Sequence, residues 1–318
     1  MQDIIAAIVP IFLLILVGVV IKLFENIRHP VWARMCNTVG FCDDRWSRVL
    51  NLFALYVALP ALIIHSLAHT SRQQLIGRQM LFTTVVVLVA AALFMFLVTK
   101  LLKMRKDLAN AYILCGFFGN VAYIGPPFIL ALLPGTEGSV SVLIAVHVLV
   151  AFTVGVAILE HSKHPHIQLD QMLRDVLVNP LILAAIVGLL LLYLKILPPG
   201  PIDSALRMLA ASASPTVLIA IGLFIARRIR FDKALWHAIA ISGIKLIALP
   251  LIFVIVGNIM SFKTGFTPSI LEAGMPVALA NFALAEIYPM DKRIVAKSII
   301  VSTVLSIFTL SALAAFVV

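Results

Sequence analysis

Apolar residues run along this chain in blocks of about twenty, each closed off by a short polar turn. A bilayer core of about 30 Å is crossed by about twenty helical residues. The blocks therefore predict membrane helices near residues 4–24, 47–68, 80–102, 108–132, 139–160, 176–195, 203–226, 235–258, 267–288 and 293–317. The expected fold class is an all-α polytopic membrane protein of ten transmembrane helices. No polar stretch between spans exceeds roughly two dozen residues, the length of Glu25–Ser47, so no soluble domain is implied. The first span has no basic segment before it and no clear small-residue cleavage site, so it reads as a helix rather than a secretory signal.

Two spans do not read as continuous rods. Leu114–Leu133 (LCGFFGNVAYIGPPFILALL) carries Gly116, Gly119, Asn120, Gly125, Pro126 and Pro127. Proline has no N–H and crowds the carbonyl four residues back, so Ala122 and Tyr123 should lose their helical partners. Ile270–Tyr288 (ILEAGMPVALANFALAEIY) is interrupted at Gly274 and Pro276. An unsatisfied carbonyl in hydrocarbon is costly, so such breaks belong against protein or a water-lined cavity. A proline kink filled by neighbouring helices is the ordinary alternative. Paired interruptions in matching positions of two halves point instead to a transport site at the membrane midplane.

The landmarks recur. Pro10 is followed eight residues later by Gly18 in span one, and Pro180 by Gly188 at the same separation in span six. Pro60 marks span two and Pro215 span seven; the breaks at Gly125–Pro127 and Gly274–Pro276 mark spans four and nine. Each returns five spans later, and five is odd, so the second copy enters the membrane upside down. Residues 1–160 and 161–318 are then two inverted repeats of five helices each, with broken helices 4 and 9 crossing.

Composition agrees: 62% of the 318 residues are hydrophobic and 12% charged. The net charge of +10 would suggest nucleic acid in a soluble protein. Here the basic residues sort by loop. Lys22, Arg28, Arg34, Arg45 and Arg48 flank the first, Lys100, Lys103, Arg105 and Lys106 the third, and Lys163 and Arg174 the fifth. Arg227, Arg228, Arg230 and Lys233 flank the seventh, and Lys292, Arg293 and Lys297 the ninth. The even loops hold only Arg72, Arg78, Lys195, Arg207 and Lys263. By the positive-inside rule the odd loops are cytoplasmic and both termini extracytoplasmic, which places the chain in the cell's inner membrane without a nucleic-acid partner. Cys36 and Cys42 then face the cytosol, where a disulfide framework is not expected.

The motif Asn120-Val-Ala-Tyr-Ile-Gly125-Pro126-Pro127 resembles the N-x-x-x-x-G-x-P signature of the auxin efflux carrier family, and Met275-Pro276 followed by Phe282, Ala285, Glu286 and Tyr288 resembles its second crossing helix. The resemblance spans the whole chain. It implies a secondary transporter folded like bile-acid carriers and sodium/proton antiporters, with a scaffold of helices 1, 2, 6 and 7 and a moving domain of helices 3–5 and 8–10. With only Glu160–Asp175 in mid-chain, the sequence looks like the compact prokaryotic form, whose substrates are small carboxylates such as malate or malonate. A homodimer is expected from the same resemblance.

Two half-helix N-termini meeting at midplane present N–H groups and partial positive charge to an anion, and two C-termini present carbonyls to a cation or donor. Gly125, Pro126, Pro127 and Pro276 shape that crossing, with Pro127 and Pro276 expected to start the second halves. Asn120 and Asn281 can donate and accept there; their alternative is an interhelical hydrogen bond worth about 1 kcal/mol. Glu272 stands one turn before Pro276, as a substrate or proton site or as a carboxylate in an outward aqueous vestibule. Lys245 in span eight offers positive charge to an anion unless it snorkels to the cytosol. His147 in span five suits proton coupling, or serves packing. Glu286, near a helix end, suits a solvated or capping role.

The His161-Ser-Lys-His164-Pro-His166 run lacks the cysteine or carboxylate partners of a zinc site and reads as a polar loop, so neither metal nor cofactor is expected. Every aspartate falls in a terminus, loop or helix end, and neither H-E-x-x-H nor G-x-S-x-G occurs. Enzyme chemistry is not expected, and the missing aspartate pair argues against sodium/proton exchange. The reading is a carrier of a small organic anion in contact with membrane lipid; the alternative is an anion channel or a non-transporting membrane receptor on the same fold.

Overall fold

A computed structural model describes residues 2–24, 44–72, 75–155, 157–159, 178–226, 232–262 and 264–318. Cys36, Cys42, the His161–His166 run and several of the loop arginines and lysines lie outside the described residues. Everything described is helix or connection, with no strand longer than an isolated bridge. Seven helical stretches are long and apolar enough to cross a membrane: Ile4–Leu23, Val49–Ala68, Arg78–Leu101, Glu137–Leu159, Gly200–Ile225, Lys233–Ile259 and Lys292–Val317. The chain is a multi-pass membrane protein. Leu13, Phe82, Phe94, Phe308 and Phe316 stand more than half exposed on the outer faces; apolar surface on this scale belongs in lipid, not water.

The chain opens with α1 (Gln2–Phe24), α2 (Asp44–Phe53) and α3 (Leu59–Ala68). Then come α4 (Arg78–Leu101), α5 (Lys106–Phe117), α6 (Gly125–Leu132) and α7 (Glu137–Val150). Next come α8 (Pro180–Leu194), α9 (Gly200–Ile225), α10 (Lys233–Gly243) and α11 (Leu249–Ile259). Last are α12 (Thr267–Ala273), α13 (Ala280–Ile287) and α14 (Lys292–Val317).

Helix starts follow capping chemistry. Asn179 Oδ1 accepts from the Leu181 N–H at 3.0 Å with Pro180 in the first turn of α8, and Asp232 and Asp291 cap α10 and α14 in the same way. Each such cap stabilises by about 1 kcal/mol. Lys297 reaches back 2.5 Å to Asp232 and its hydrogen bond holds that carboxyl below the usual carboxylate range.

Proline placement shapes the long spans. α2 passes into α3 through a π-helical turn, Ala54–Ala58, and α10 into α11 through another, Ile244–Ala248. Pro60 and Pro250 each follow by two residues. A proline ring crowds the carbonyl four residues back and offers it no N–H; widening the preceding turn relieves this, and Leu59 and Leu249 donate to Ala54 and Ile244, five residues back. Pro10 and Pro215 sit inside α1 and α9 without ending them.

Where helices touch closely, side chains are small. α1 and α9 cross with Gly18 against Gly222: a Cβ on Gly18 would run into the Ile219 carbonyl, and one on Gly222 into that of Ile15. α8 meets α3 at Gly188, where a Cβ would come within 2.9 Å of the Leu67 side chain. Such backbone approach replaces the hydrophobic effect between helices already in lipid. Gly222→Val is therefore expected to destabilise the fold by about 1–3 kcal/mol through overpacking, read as a lowered thermal midpoint in detergent, whereas valine at exposed Gly200, which no atom crowds, changes it little.

The two interrupted spans are discontinuous, the first where its prolines predicted and the second not. α5 ends at Phe117 and α6 begins at Gly125, so residues 118–124 are unwound before Pro126 and Pro127, which occupy the first turn of α6. First-turn N–H groups have no helical partner, so proline costs nothing there. The second break corrects the expectation: Pro276 does not start the second half. It lies inside the non-helical segment 274–279, and α13 starts at Ala280. The Pro276 carbonyl is engaged by the other broken span.

Candidate functional site

The two unwound segments touch. Gly119 and Val277 form an antiparallel bridge, in which the Asn120 N–H donates to the Pro276 carbonyl at 2.6 Å and the Ala278 N–H to the Phe118 carbonyl at 3.1 Å. The Val277 N–H donates to Ser302 Oγ of α14 at 3.0 Å, and the Asn120 carbonyl accepts from Ile124 at 3.1 Å. These bonds satisfy backbone groups that helix rupture would strand in an apolar interior. The break is a built element rather than a kink.

Lys245 and Glu272 flank the bridge, both fully buried. Lys245 lies in the π turn of α10–α11 and does not snorkel: its Nζ donates to the Ala273 carbonyl, the last of α12, at 2.5 Å. Glu272 is not in an aqueous vestibule. Its carboxylate packs on Gly125, the first residue of α6, where a Cβ would lie 2.8 Å from Oε2. The cation thus sits at the negative end of one half-helix and the carboxylate at the positive end of another. Their charges act on each other, yet neither Glu272 oxygen accepts a hydrogen bond. Burying such groups without full pairing costs several kcal/mol, which makes the place a candidate functional site.

The asparagines complete the crossing. Asn120 is buried and its side-chain Nδ2 has no partner. Asn281, on α13, donates from Nδ2 to the Phe118 carbonyl at 3.3 Å and to Cys115 Sγ at 3.6 Å, leaving Oδ1 without a donor. It clamps the bridge and keeps one acceptor in reserve. His147 on α7 is buried with Nδ1 against the Leu143 carbonyl at 2.9 Å, its Nε2 is unpartnered, and it feels the Lys245 charge. The structure therefore brings Asn120, Gly125, Pro276, Glu272 and Lys245 to one crossing, with Asn281 bracing it and Pro126 and Pro127 opening α6. The Glu286 side chain lies outside the described residues.

Gly119 reads in the sequence only as a helix breaker; in the fold a Cβ there would lie 2.8 Å from Lys245 Nζ. Sequence reasoning missed Ser302, which holds the Val277 N–H, and Ser298, a fully buried hydroxyl with no partner. The absence of room at Gly119 is a tertiary fact, but the serines stand at a four-residue spacing on α14 that could have been read as one polar face. A cavity of about 530 Å³ lies beside the crossing between α4, α5 and α11; its lining, Phe94, Met95, Tyr112 and Ile252 among it, is apolar and includes none of the charged site groups. It suits hydrocarbon rather than an anion.

Among curated proteins, one described as "Putative malonate transporter" from Rhizobium meliloti is 26% identical over 278 residues, covering 83% of this chain and 85% of its own. An uncharacterised transporter of Methanocaldococcus jannaschii is 22% identical over 289 residues, covering 86% and 90%. Another, from Methanothermobacter thermautotrophicus, is 32% identical over 116 residues, covering 36% and 38%. The family model described as membrane transport protein matches residues 3–314, so the chain, with its two broken helices, belongs to the membrane transport protein family, that of the auxin efflux carriers.

Proposed function

We propose that this chain is a secondary transporter that moves a small organic anion, a dicarboxylate of malonate size, by alternating access. The observation that carries the reading is the hydrogen-bonded crossing of two unwound membrane segments with Lys245, Glu272 and Asn120 around it. In this reading Lys245 exchanges the Ala273 carbonyl for a substrate carboxylate, and the free Asn120 N–H groups and the α6 terminus add donors. Glu272 receives a proton when the anion binds, because two carboxylates cannot share so small a site charged. The proton then travels with the substrate.

The architecture in this reading is ten spans: the seven long helices, α8, and the pairs α5–α6 and α12–α13. The 5+5 inverted repeat is supported by packing. Gly18 of span one meets Gly222 of span seven, seven residues after Pro215; Gly188 of span six meets Leu67 of span two, seven residues after Pro60. Adding five spans exchanges one contact for the other. Spans 1, 2, 6 and 7 form the scaffold. Spans 3–5 and 8–10 form the moving body, cross-linked by Thr84 to Ser269 at 3.0 Å, Asn110 to the Pro289 carbonyl at 3.0 Å and Tyr112 to His237 at 3.0 Å. Tyr123, in the unwound segment, donates to Asn51 of the scaffold at 2.5 Å and is the contact that must break on moving. Both termini are extracytoplasmic by the loop charges, and the membrane in this reading is the inner one.

Purified protein in liposomes tests this. Saturable uptake and counterflow of labelled malonate are expected, with Asn120→Ala lowering uptake about tenfold, the worth of one hydrogen bond to a charged group, at unchanged folded yield. Conductance without saturation would make the chain a channel, and thermal stabilisation by cations or neutral solutes but not by carboxylates would remove the organic-anion assignment.

A further inference from the structure

Away from the crossing, α3 ends against the start of α9 with a cluster that transport does not use. We propose that His65, His69 and Asp203 form a binding site for a divalent first-row transition metal ion of the zinc type.

His65 and His69 stand one turn apart on α3, on the same face, with rings stacked at 4.4 Å. Asp203 lies in the first turn of α9. Its Oδ1 is 3.6 Å from His65 Nε2 and 3.5 Å from His69 Nε2, and the three ligand atoms lie within 4.8 Å of one another. Ligands held at about 2.1 Å by a tetrahedral ion stand about 3.4 Å apart.

The hydrogen bonding supplies the independent argument. His69 Nδ1 is 3.0 Å from the His65 carbonyl, which can only accept, so Nδ1 carries the proton. In the neutral ring Nε2 is then a bare lone pair, aimed at a carboxylate oxygen that is itself an acceptor. That oxygen is buried and receives no hydrogen bond. Two lone pairs, those of His69 Nε2 and Asp203 Oδ1, then face each other and repel unless a cation lies between them; His65 Nε2 stands beside them as a third ligand, and two imidazoles with one carboxylate are a donor set zinc accepts, water completing the tetrahedron. The Nδ1–H bond to the backbone is the outer contact that orients a metal-bound histidine. An ion here would join α3 to α9, two helices of the same scaffold, outside the path of the moving body. The proposal does not rest on the transport reading.

The test uses the full chain, purified without a polyhistidine tag and carrying His29→Ala, His161→Ala, His164→Ala and His166→Ala so that these four histidines contribute nothing. Calorimetric titration with zinc sulfate is expected to give one saturable site per chain, and cobalt(II) a visible absorption band that zinc bleaches and magnesium does not. His69→Ala and the isosteric Asp203→Asn are each expected to weaken zinc by about 10–100-fold or more while eluting as monodisperse folded protein. Absence of saturable zinc binding in the parent, or parental affinity retained in either variant, overturns the proposal.

Discussion

Lys245→Met is expected to abolish carboxylate uptake while leaving a folded protein. Methionine keeps most of the length and the flexibility of the stem in the π turn and removes the charge together with the Nζ donor to the Ala273 carbonyl. Removing the cation that would pair with a buried substrate carboxylate costs about 2–5 kcal/mol, or about 30-fold to several thousandfold in affinity, so initial uptake in liposomes should fall below detection. Part of that loss is the exposure of Glu272 to an apolar pocket without its countercharge, and the double variant Lys245→Met, Glu272→Gln separates the two contributions. It is expected to recover thermal stability, because no charge is left buried, and to remain inactive, because nothing positive meets the substrate. Transport restored in the double variant would reduce Lys245 to a counterion of Glu272 and sink its assignment to the anion.

Glu272→Gln is expected to uncouple the carrier. Glutamine preserves the shape packed on Gly125 but cannot gain or release a proton. Counterflow of labelled malonate, which needs only binding and reorientation, should persist. Accumulation driven by an imposed pH gradient should disappear, leaving only what the membrane potential permits. A variant that still concentrates substrate against a gradient when the outside is acidified would move the coupling site elsewhere, with His147 the next candidate since its Nε2 is also buried without a partner.

The broken spans were legible because their cause is local. Gly125, Pro126, Pro127, Gly274 and Pro276 have backbone chemistry that disfavours a continuous helix wherever they stand. The exact unwinding was not, since Pro276 is placed by a hydrogen bond from Asn120, more than a hundred residues earlier. Lys245 and Glu272 were suspects from the cost of charge in a span, but the alternatives of snorkelling and of an outer vestibule differ only in where the side chain ends, which a one-dimensional pattern does not contain. His65, His69 and Asp203 passed unnoticed for a similar reason. Two histidines at a helical spacing are common, and the carboxylate that makes them a cluster comes from another helix.

What the chain's order of residues determined alone was its multi-pass helical character, the two interruptions and the charges inside spans, because each depends on a residue's own transfer energy or dihedral freedom. What only the tertiary structure decided was partnership: that Lys245 closes the α12 carbonyl end, that Glu272 rests on the first residue of α6, and that Gly119 and Gly125 are glycines because those side chains occupy the space. Partners are chosen by packing between helices distant in sequence, and packing at close range depends on which atoms leave room for which others.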